Sequence, residues 1–318
     1  MSEAVMHPMA LAIVQAHAAT LALPISETRA AAPDAGLASD VRDNPVYSAA
    51  LQAAHALGFN AADARCVALA WHRRQQRSGR FDAAQWPVDP LDFGLAPAPH
   101  SDAFAPCPRV LGLYAVLPDA GWVGRMARAG VPTLQLRCKS ADPRTVRAEV
   151  RQAVAALQGT SARLFINDHW REAIDAGAYG VHLGQEDLDQ LGAQDLQSIR
   201  AAGLRLGLSS HGYAEMLRAA AIRPSYIALG AVFATTLKAM ASVPQGLGRL
   251  RVYARLMHPC PVVAIGGIDA SRLAPVLATG VGAVGMVRAL IAADSPEQAA
   301  ADFSRAIDDA TRQEGGAG

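Results

Sequence analysis

The sequence predicts an α/β fold, a (β/α)₈ TIM barrel over residues 109–318, preceded by a mainly helical extension over residues 1–108. Three observations support this fold. Downstream of about residue 108, short apolar runs alternate with amphipathic helical stretches, Ala-Gly or Thr-Gly pairs precede several of the runs, and polar residues gather directly after them. Parallel strands joined by helices give such a pattern because both faces of each strand are buried.

The extension is rich in alanine, and its spacing predicts helices over Ala49–Leu57 and Ala61–Gln76. Ser48 and Asn60 are the expected N-caps of these two helices. The prolines of Asp89–Pro108 indicate a linker without regular structure. No group of chemically active residues stands out here, so the sequence assigns the extension no function.

The barrel is predicted from eight apolar runs and the helices between them. The runs are Val110–Val116, Thr133–Arg137, Arg163–Ile166, Gly180–Leu183, Arg205–Leu208, Tyr226–Leu229, Val262–Ile265 and Ala283–Val287. The helical stretches include Asp142–Leu157, Trp170–Ala176, Ala193–Ala202, Tyr213–Ala221, Gly246–Met257, Ser271–Ala278 and Pro296–Ala310. Eight units in roughly 200 residues fit the lower size range of such a barrel. The alternative is a doubly wound open sheet, which the lack of a GxGxxG motif after the first strand disfavours.

Composition excludes several classes of partner. The chain of 318 residues is 51% hydrophobic with a formal net charge of +1, so we expect no broad basic surface for nucleic acid. Its four cysteines lack the spacing of a zinc site or a disulfide framework. Neither a signal peptide nor an uncharged apolar run of membrane length is recognisable. We therefore expect a cytoplasmic protein without membrane partners, and the formation of a homo-oligomer stays open.

Polar residues follow the strands at the carboxyl ends, where (β/α)₈ barrels have their active sites. Gln135, Arg137 and Lys139 alternate after the second strand and therefore share one face. A polar face on a buried strand is unfavourable unless it has a use, although a solvated edge is the alternative. Arginine presents a planar fork to a phosphate and lysine a point charge, so this face predicts an anion site.

Two carboxylates, Asp168 and Asp187, come after the third and fourth strands. Neighbouring acids beside an anion site predict bound Mg²⁺, although either residue could instead cap the helix that follows it. After the seventh strand, Gly266-Gly267 allows backbone amides to approach a ligand, which predicts a second phosphate site there. His182 could be an acid, a base or a structural residue.

Together these strand-end motifs resemble those of the thiamine phosphate synthases. The resemblance covers roughly residues 111–310 and rests on Gln135–Lys139, Asn167-Asp168, Gly180–Asp187, Gly207–His211, Phe233–Lys238 with Pro244–Gly246, and Ala264–Ile268. It implies a transferase that joins 4-amino-2-methyl-5-hydroxymethylpyrimidine diphosphate to 4-methyl-5-(2-phosphoethyl)thiazole, forming thiamine phosphate and pyrophosphate. The implied mechanism is dissociative, assisted by Mg²⁺, and needs no protein nucleophile.

The resemblance also implies a role for each matching residue. The pyrimidine diphosphate would be bound by Gln135, Arg137, Lys139, Asn167, Ser209 and Lys238, and the catalytic cations among these would be Arg137, Lys139 and Lys238. The thiazole phosphate would lie against Thr235, Thr236, Leu237, Gly267, Val287 and Arg288. Asp168 and Asp187 would bind Mg²⁺. Leu237 replaces a usual threonine and Arg288 a frequent serine, so these two positions bear on the affinity for thiazole phosphate.

Two other functions remain open at this point. A thiazole tautomerase or regulator of the same barrel type would bind thiazole phosphate without joining it to the pyrimidine. The acids and cations around Arg137 argue against that function, because a tautomerase has no diphosphate to bind. The second alternative is a non-catalytic protein that binds thiamine precursors, for which Leu237 is the sequence hint.

Overall fold

The computed structural model describes residues 6–24, 37–97, 99–235 and 243–315. Within them, eight parallel strands close into a barrel in chain order, with the last strand paired to the first. The strands are β1 Gly112–Leu117, β2 Thr133–Leu136, β3 Arg163–Asn167, β4 Gly180–Leu183, β5 Arg205–Ser210, β6 Tyr226–Leu229, β7 Val262–Ile265 and β8 Ala283–Met286. The predicted barrel is confirmed, and the doubly wound open sheet is excluded.

Four helices precede the barrel in the described part of the chain. They are α1 Pro8–Leu21, α2 Ser39–Arg42, α3 Pro45–Ala56 and α4 Ala61–Ser78. The prediction of Ser48 as an N-cap was wrong, because α3 begins earlier, at Pro45, and the Asn44 side chain accepts hydrogen bonds from two amides of its first turn. Asn60 caps α4 as predicted. The sequence analysis did not predict α1, whose apolar residues are spread around the helix rather than along one stripe.

The remaining helices cover the outside of the barrel. They are α5 Ala120–Arg128, α6 Pro143–Ala155, α7 Trp170–Ala176, α8 Gln185–Gln190, α9 Ala193–Ala201, α10 Tyr213–Ala221, α11 Gly246–Leu256, α12 Ala270–Leu277, α13 Arg288–Ile291 and α14 Pro296–Gly315. The predicted element bounds differ from these mostly by one or two residues. The first strand begins at Gly112 rather than at Val110, whose side chain stays exposed at the foot of the barrel.

Alternate residues along the strands form two cores. The barrel interior holds Leu111, Tyr114, Val116, Phe165, Tyr226, Ala228, Val263 and Ala283. The second core lies between the sheet and the helices and includes Leu134 and Leu136 of β2. Because neighbouring strand residues point to opposite faces, Gln135 lies on the inner face, and the same alternation directs Arg137 inward just beyond the strand.

The extension packs against α10 and α11 on the outside of the barrel. Arg249 of α11 is only 6% exposed. Its guanidinium donates from Nε to the Leu21 carbonyl at 3.0 Å and from Nη2 to the Leu57 carbonyl at 2.8 Å, and it lies 3.7 Å from the centre of the Phe59 ring. A side chain of the barrel therefore satisfies the last carbonyls of two extension helices.

Backbone contact also joins α1 to α11. A Cβ on Gly248 would lie 1.7 Å from the Thr20 carbonyl oxygen, so this approach requires glycine. The buried apolar residues of the extension form one continuous cluster with the outer core of the barrel. The division of the chain at residue 108 stays a prediction. No helix in the described ranges has both the length and the apolar character needed to cross a membrane.

Candidate active site

Polar side chains line the inner face at the carboxyl ends of neighbouring strands, as the strand-end motifs predict. Gln135 of β2 donates from Nε2 to Oδ1 of Asn167 at the end of β3, at 2.6 Å. Both side chains are more than 90% buried, so the bond orients two amides that face the barrel mouth. Arg137 is half-buried, and its backbone amide donates to the Leu117 carbonyl at the end of β1.

A chain of hydrogen bonds runs from the barrel interior to Ser209. The hydroxyl oxygens of Tyr114 and Tyr226 are 2.6 Å apart, and the Tyr226 hydroxyl is 2.7 Å from His182 Nδ1. On its other side, His182 Nε2 lies 2.8 Å from Ser209 Oγ. Each of these partners comes from a different strand, namely β1, β6, β4 and β5. These three hydrogen bonds therefore fix the Ser209 side chain from inside the barrel.

The His182–Ser209 contact has the geometry of a serine nucleophile beside a base, but its electrostatics do not suit that chemistry. Burial, with a smaller contribution from the charge of Arg137, lowers the pKa of His182 to about 4. A general base is most effective when its pKa lies near the working pH. The third member is a buried phenol, Tyr226, whose pKa burial raises. We therefore interpret neutral His182 as a residue that orients Ser209.

This burial predicts a pH dependence of stability. A histidine in the unfolded chain takes up a proton near pH 6.5, whereas folded His182 resists protonation down to about pH 4. The contribution of His182 to the free energy of unfolding is therefore fully present above pH 6.5, and it is lost as the pH falls towards 4. Between pH 7.5 and 4.5 we expect His182 to account for a loss of about 2 to 3 kcal/mol in the free energy of unfolding.

Urea unfolding at the two pH values measures this loss. The His182→Gln variant is expected to lose correspondingly less stability on acidification than the unaltered chain. His258→Asn is the matched control, because it replaces a histidine whose side chain is exposed rather than buried. Equal acid sensitivity of the His182→Gln variant and the unaltered chain would show that His182 is not the group responsible.

Asp168 and Asp187 line the same cavity, which has a volume of about 240 Å³. Asp168 is exposed directly after β3, and its backbone has φ +64°, a left-handed conformation that few residues other than glycine, asparagine and aspartate adopt. Strain of this kind often accompanies a functional position. The structure thus brings together the two carboxylates for which the sequence predicts Mg²⁺.

Asp187 also has the structural role that was its alternative. Its Oδ2 accepts a hydrogen bond from the Gly184 amide at 2.7 Å, which caps the first turn of α8. The bond uses one of the two carboxylate oxygens. Asp195, at the start of α9, lines the same cavity and caps its own helix in the same way through the Gly192 amide. Asp187 and Asp195 therefore each cap a helix and also line the cavity.

The loops after β6 and β7 lie against each other. The Phe233 amide donates to the Gly266 carbonyl at 3.0 Å, and a Cβ on Gly267 would lie 2.6 Å from the Ala234 carbonyl oxygen. Both glycines have positive φ, 103° for Gly266 and 65° for Gly267. The close approach of two loops, rather than of a ligand alone, therefore requires this glycine pair. The contact places Gly267 near the segment that leads to Thr235.

The remaining predicted site residues fall into three groups. Lys139 and Arg288 are exposed at the ends of β2 and β8. Thr235 and Val287 are half-buried, and Val287 stands at the N-cap position of α13. The predictions for Thr236, Leu237 and Lys238 lie outside the described residues.

The sequence analysis assigned no role to the residues that support the site, although Gln185 and Gln245 lie in the motifs that carry the resemblance. Gln185 donates from Nε2 to the Ser209 carbonyl at 2.7 Å, and Gln245 from Nε2 to the Gly230 carbonyl at 2.9 Å. Tyr226 was assigned to a strand but not to the site. Its alternation onto the inner face, together with a polar hydroxyl in a buried strand, was the signal that could have identified it.

Comparison with known proteins agrees with this geometry. The sequence model of the family described as thiamine monophosphate synthase matches residues 114–290, which include all of β2 to β8. The chain belongs to the thiamine monophosphate synthase family. The matched residues include each predicted site residue, whereas the extension lies outside the match. The resemblance seen in the strand-end motifs is thereby confirmed.

Individual relatives give the same result. A thiamine-phosphate synthase of Neisseria gonorrhoeae is 55% identical over 194 residues, which cover 61% of this chain and 93% of the relative. One of Photorhabdus laumondii is 48% identical over 200 residues, covering 63% of this chain and 91% of the relative. Among solved structures, a thiamine phosphate pyrophosphorylase from Pyrococcus furiosus aligns with a TM-score of 0.55 and 26% identity, over 63% of this chain and 96% of that one.

Proposed function

We propose that this member of the thiamine monophosphate synthase family joins the pyrimidine diphosphate to the thiazole phosphate, releasing pyrophosphate and forming thiamine phosphate. One observation carries the proposal. Gln135, Asn167 and Ser209 lie on the inner face at the ends of β2, β3 and β5, and Asp168 and Asp187 line a cavity at the ends of β3 and β4. Groups that hydrogen-bond an aminopyrimidine and acids suited to the cation of a diphosphate thus stand at neighbouring strand ends.

The cations that follow β2 and β6 in the sequence are assigned to the diphosphate. Arg137 and Lys139 come directly after β2, and Lys238 follows β6. A guanidinium binds phosphate oxygens in pairs, whereas an ammonium acts as a point charge. Negative charge builds up on the leaving group as its bond breaks. Positive charge beside the leaving group stabilises it and so lowers the barrier.

The two acids fit Mg²⁺. This ion takes oxygen ligands and is commonly bound by one or two carboxylates together with water and substrate phosphate. The capping bond of Asp187 uses Oδ2 only, and Asp168 is exposed in the same cavity. Within the described ranges, no group of three or more histidine, cysteine, aspartate or glutamate side chains is arranged to hold a metal ion. The proposed site therefore takes its other ligands from water and from the substrate diphosphate. When bound, the ion neutralises charge on the diphosphate.

The reaction balances without a protein nucleophile. The bond between the pyrimidine methylene carbon and the diphosphate oxygen breaks, and its electron pair leaves with pyrophosphate. The lone pair of the thiazole nitrogen then forms the new carbon–nitrogen bond. Neutral His182, whose Nε2 lies 2.8 Å from Ser209 Oγ, orients the Ser209 hydroxyl for the pyrimidine. The protein's contribution is charge placement and orientation.

We assign the thiazole phosphate to the opposite side of the barrel mouth, after β6, β7 and β8. The residues assigned to it are Thr235, Thr236, Leu237, Gly267, Val287 and Arg288. The contact between Phe233 and Gly266 supports this grouping, because it holds two of the three loops together. Arg288 adds a guanidinium where a serine is frequent, which favours binding of the thiazole phosphate group.

A turnover assay with the full chain tests the function. Both substrates and Mg²⁺ are expected to yield equal amounts of thiamine phosphate and pyrophosphate, and a chelator should stop the reaction. Isomerisation of the thiazole phosphate without joining would instead identify a tautomerase. Binding of either substrate without any product would identify a protein that only binds thiamine precursors.

A further inference from the structure

A carboxylate of the extension occupies the N-terminus of a barrel helix. Asp63 of α4 is 4% exposed, and its Oδ1 accepts a hydrogen bond from the Ala214 amide in the first turn of α10 at 2.8 Å. The N-cap of α10 is Gly212, which has no side chain to satisfy this amide. A Cβ on Gly212 would lie only 2.1 Å from Asp63 Oδ2. Asp63 therefore takes the place of the missing cap side chain.

Asp63 is itself held firmly. The Asn60 side chain accepts from the Asp63 amide at 2.9 Å and donates from Nδ2 to Asp63 Oδ2 at 3.1 Å. A second contact of the extension reaches the same turn, where Trp86 Nε1 donates to the Tyr213 hydroxyl at 2.8 Å. The extension thus holds two consecutive residues, Tyr213 and Ala214, at the start of α10.

The first turn of α10 is closely coupled to the active site. Only His211 and Gly212 separate it from the end of β5. The Ser210 hydroxyl donates to the Gly212 carbonyl at 3.0 Å, and Ser210 is fully buried. Its neighbour Ser209 carries the hydroxyl that His182 orients. The Ser210 hydroxyl therefore links Gly212 to the strand residue next to Ser209.

We propose that Asp63 is a positioning residue of the enzyme: by capping α10 from the extension, it holds the β5–α10 turn and thereby sets Ser209 against the pyrimidine. The extension lies outside the residues that match the family, so this support comes from outside the matched barrel. The inference rests on the proposed function, because Ser209 is assigned to the pyrimidine diphosphate there.

Four variants of the full chain test the proposal: Asp63→Ala, Asp63→Asn, Gly212→Ser and the double variant Asp63→Ala with Gly212→Ser. We expect Asp63→Ala to raise the KM for the pyrimidine diphosphate about fivefold, the change that loss of a helix cap represents, with the KM for thiazole phosphate unchanged. Asp63→Asn keeps an acceptor for the Ala214 amide but loses the oxygen that accepts from Asn60 Nδ2, so it should raise the same KM less than Asp63→Ala does.

The double variant is the most specific test of the capping role of Asp63. In the unaltered background, a serine at Gly212 collides with the Asp63 carboxylate and should raise the same KM. With alanine at position 63, that serine fills the vacated space and supplies an ordinary N-cap, so the KM should return towards its original value. If Asp63→Ala does not fold, Gly212→Ser alone supplies the comparison, because it displaces the same carboxylate.

Several outcomes overturn the inference. A loss of stability or of active fraction with both KM values unchanged would reduce Asp63 to a structural residue. An equal rise in both KM values would show that the effect is not directed to the pyrimidine side. Absence of thiamine phosphate with the unaltered chain would overturn the proposed function, and this inference with it.

Discussion

Replacing Asp168 with asparagine is expected to lower Mg²⁺-dependent kcat/KM about 100-fold, the scale of removing one group that stabilises transition-state charge. Asparagine is the suitable substitute because it tolerates the φ of +64° at this position, whereas alanine would add backbone strain. The carboxylate is lost and the fold is kept. Initial rates over a range of Mg²⁺ concentrations measure the effect, and the half-saturating concentration should rise.

Asp175→Asn is the matched control for this substitution. Asp175 is an exposed acid on α7, a few residues further along the chain, and it does not line the cavity. Its replacement removes the same charge and should leave both kcat/KM and the Mg²⁺ dependence unchanged. Full Mg²⁺-dependent activity of the Asp168→Asn variant would remove Asp168 from the metal site.

The second large effect concerns stability. Replacing Arg249 with methionine is expected to lower the free energy of unfolding by roughly 3 kcal/mol. Methionine keeps much of the length, removes the side-chain donor of the buried Leu21 carbonyl, and leaves the Leu57 carbonyl with the Leu23 amide alone. Burial raises the pKa of Asp63, and the positive charge of Arg249 partly opposes that rise. The substitution removes this charge as well. Urea unfolding at pH 7.5 measures the change.

Arg251→Met on the same helix is the control. Arg251 is exposed, and its one long hydrogen bond, to the Ala278 carbonyl at 3.4 Å, contributes little. The expected change is within about 0.5 kcal/mol, as for most surface substitutions. Similar losses for the two variants would mean that the Arg249 contacts are not specific to the junction between the extension and the barrel.

The strand ends show how far sequence reasoning reached into the site. Period-two alternation predicted that Gln135 and Arg137 share one face, because the direction of a strand side chain is a local property, and the barrel decided that this face is the inner one. The pairing of Asp168 with Asp187 followed from the order of parallel strands, which brings consecutive carboxyl ends together. The partners of those residues could not be predicted in this way. His182 was left between an acid, a base and a structural residue, since its pKa depends on burial and on Arg137.

The extension shows more clearly what could not be predicted from the sequence. Its helices α3 and α4 were largely predictable, because helical spacing and asparagine caps are written in short stretches of sequence. Its function could not be read from those stretches. Asp63 occupies an ordinary position in the first turn of α4, where an acid is expected in any helix. Only its contact with Ala214, 151 residues away, gives it a role at the active site.

By itself, the sequence determined the barrel and the chemical character of its rim, because strand alternation, helix caps and strand order are set by neighbouring residues. The tertiary structure alone decided which groups act together. It joined Tyr114, Tyr226, His182 and Ser209 across four strands, and it placed Arg249 and Asp63 at the junction of the extension and the barrel. The physical reason is that hydrogen bonding and desolvation depend on what surrounds a side chain in space, and here those surroundings come from distant parts of the chain.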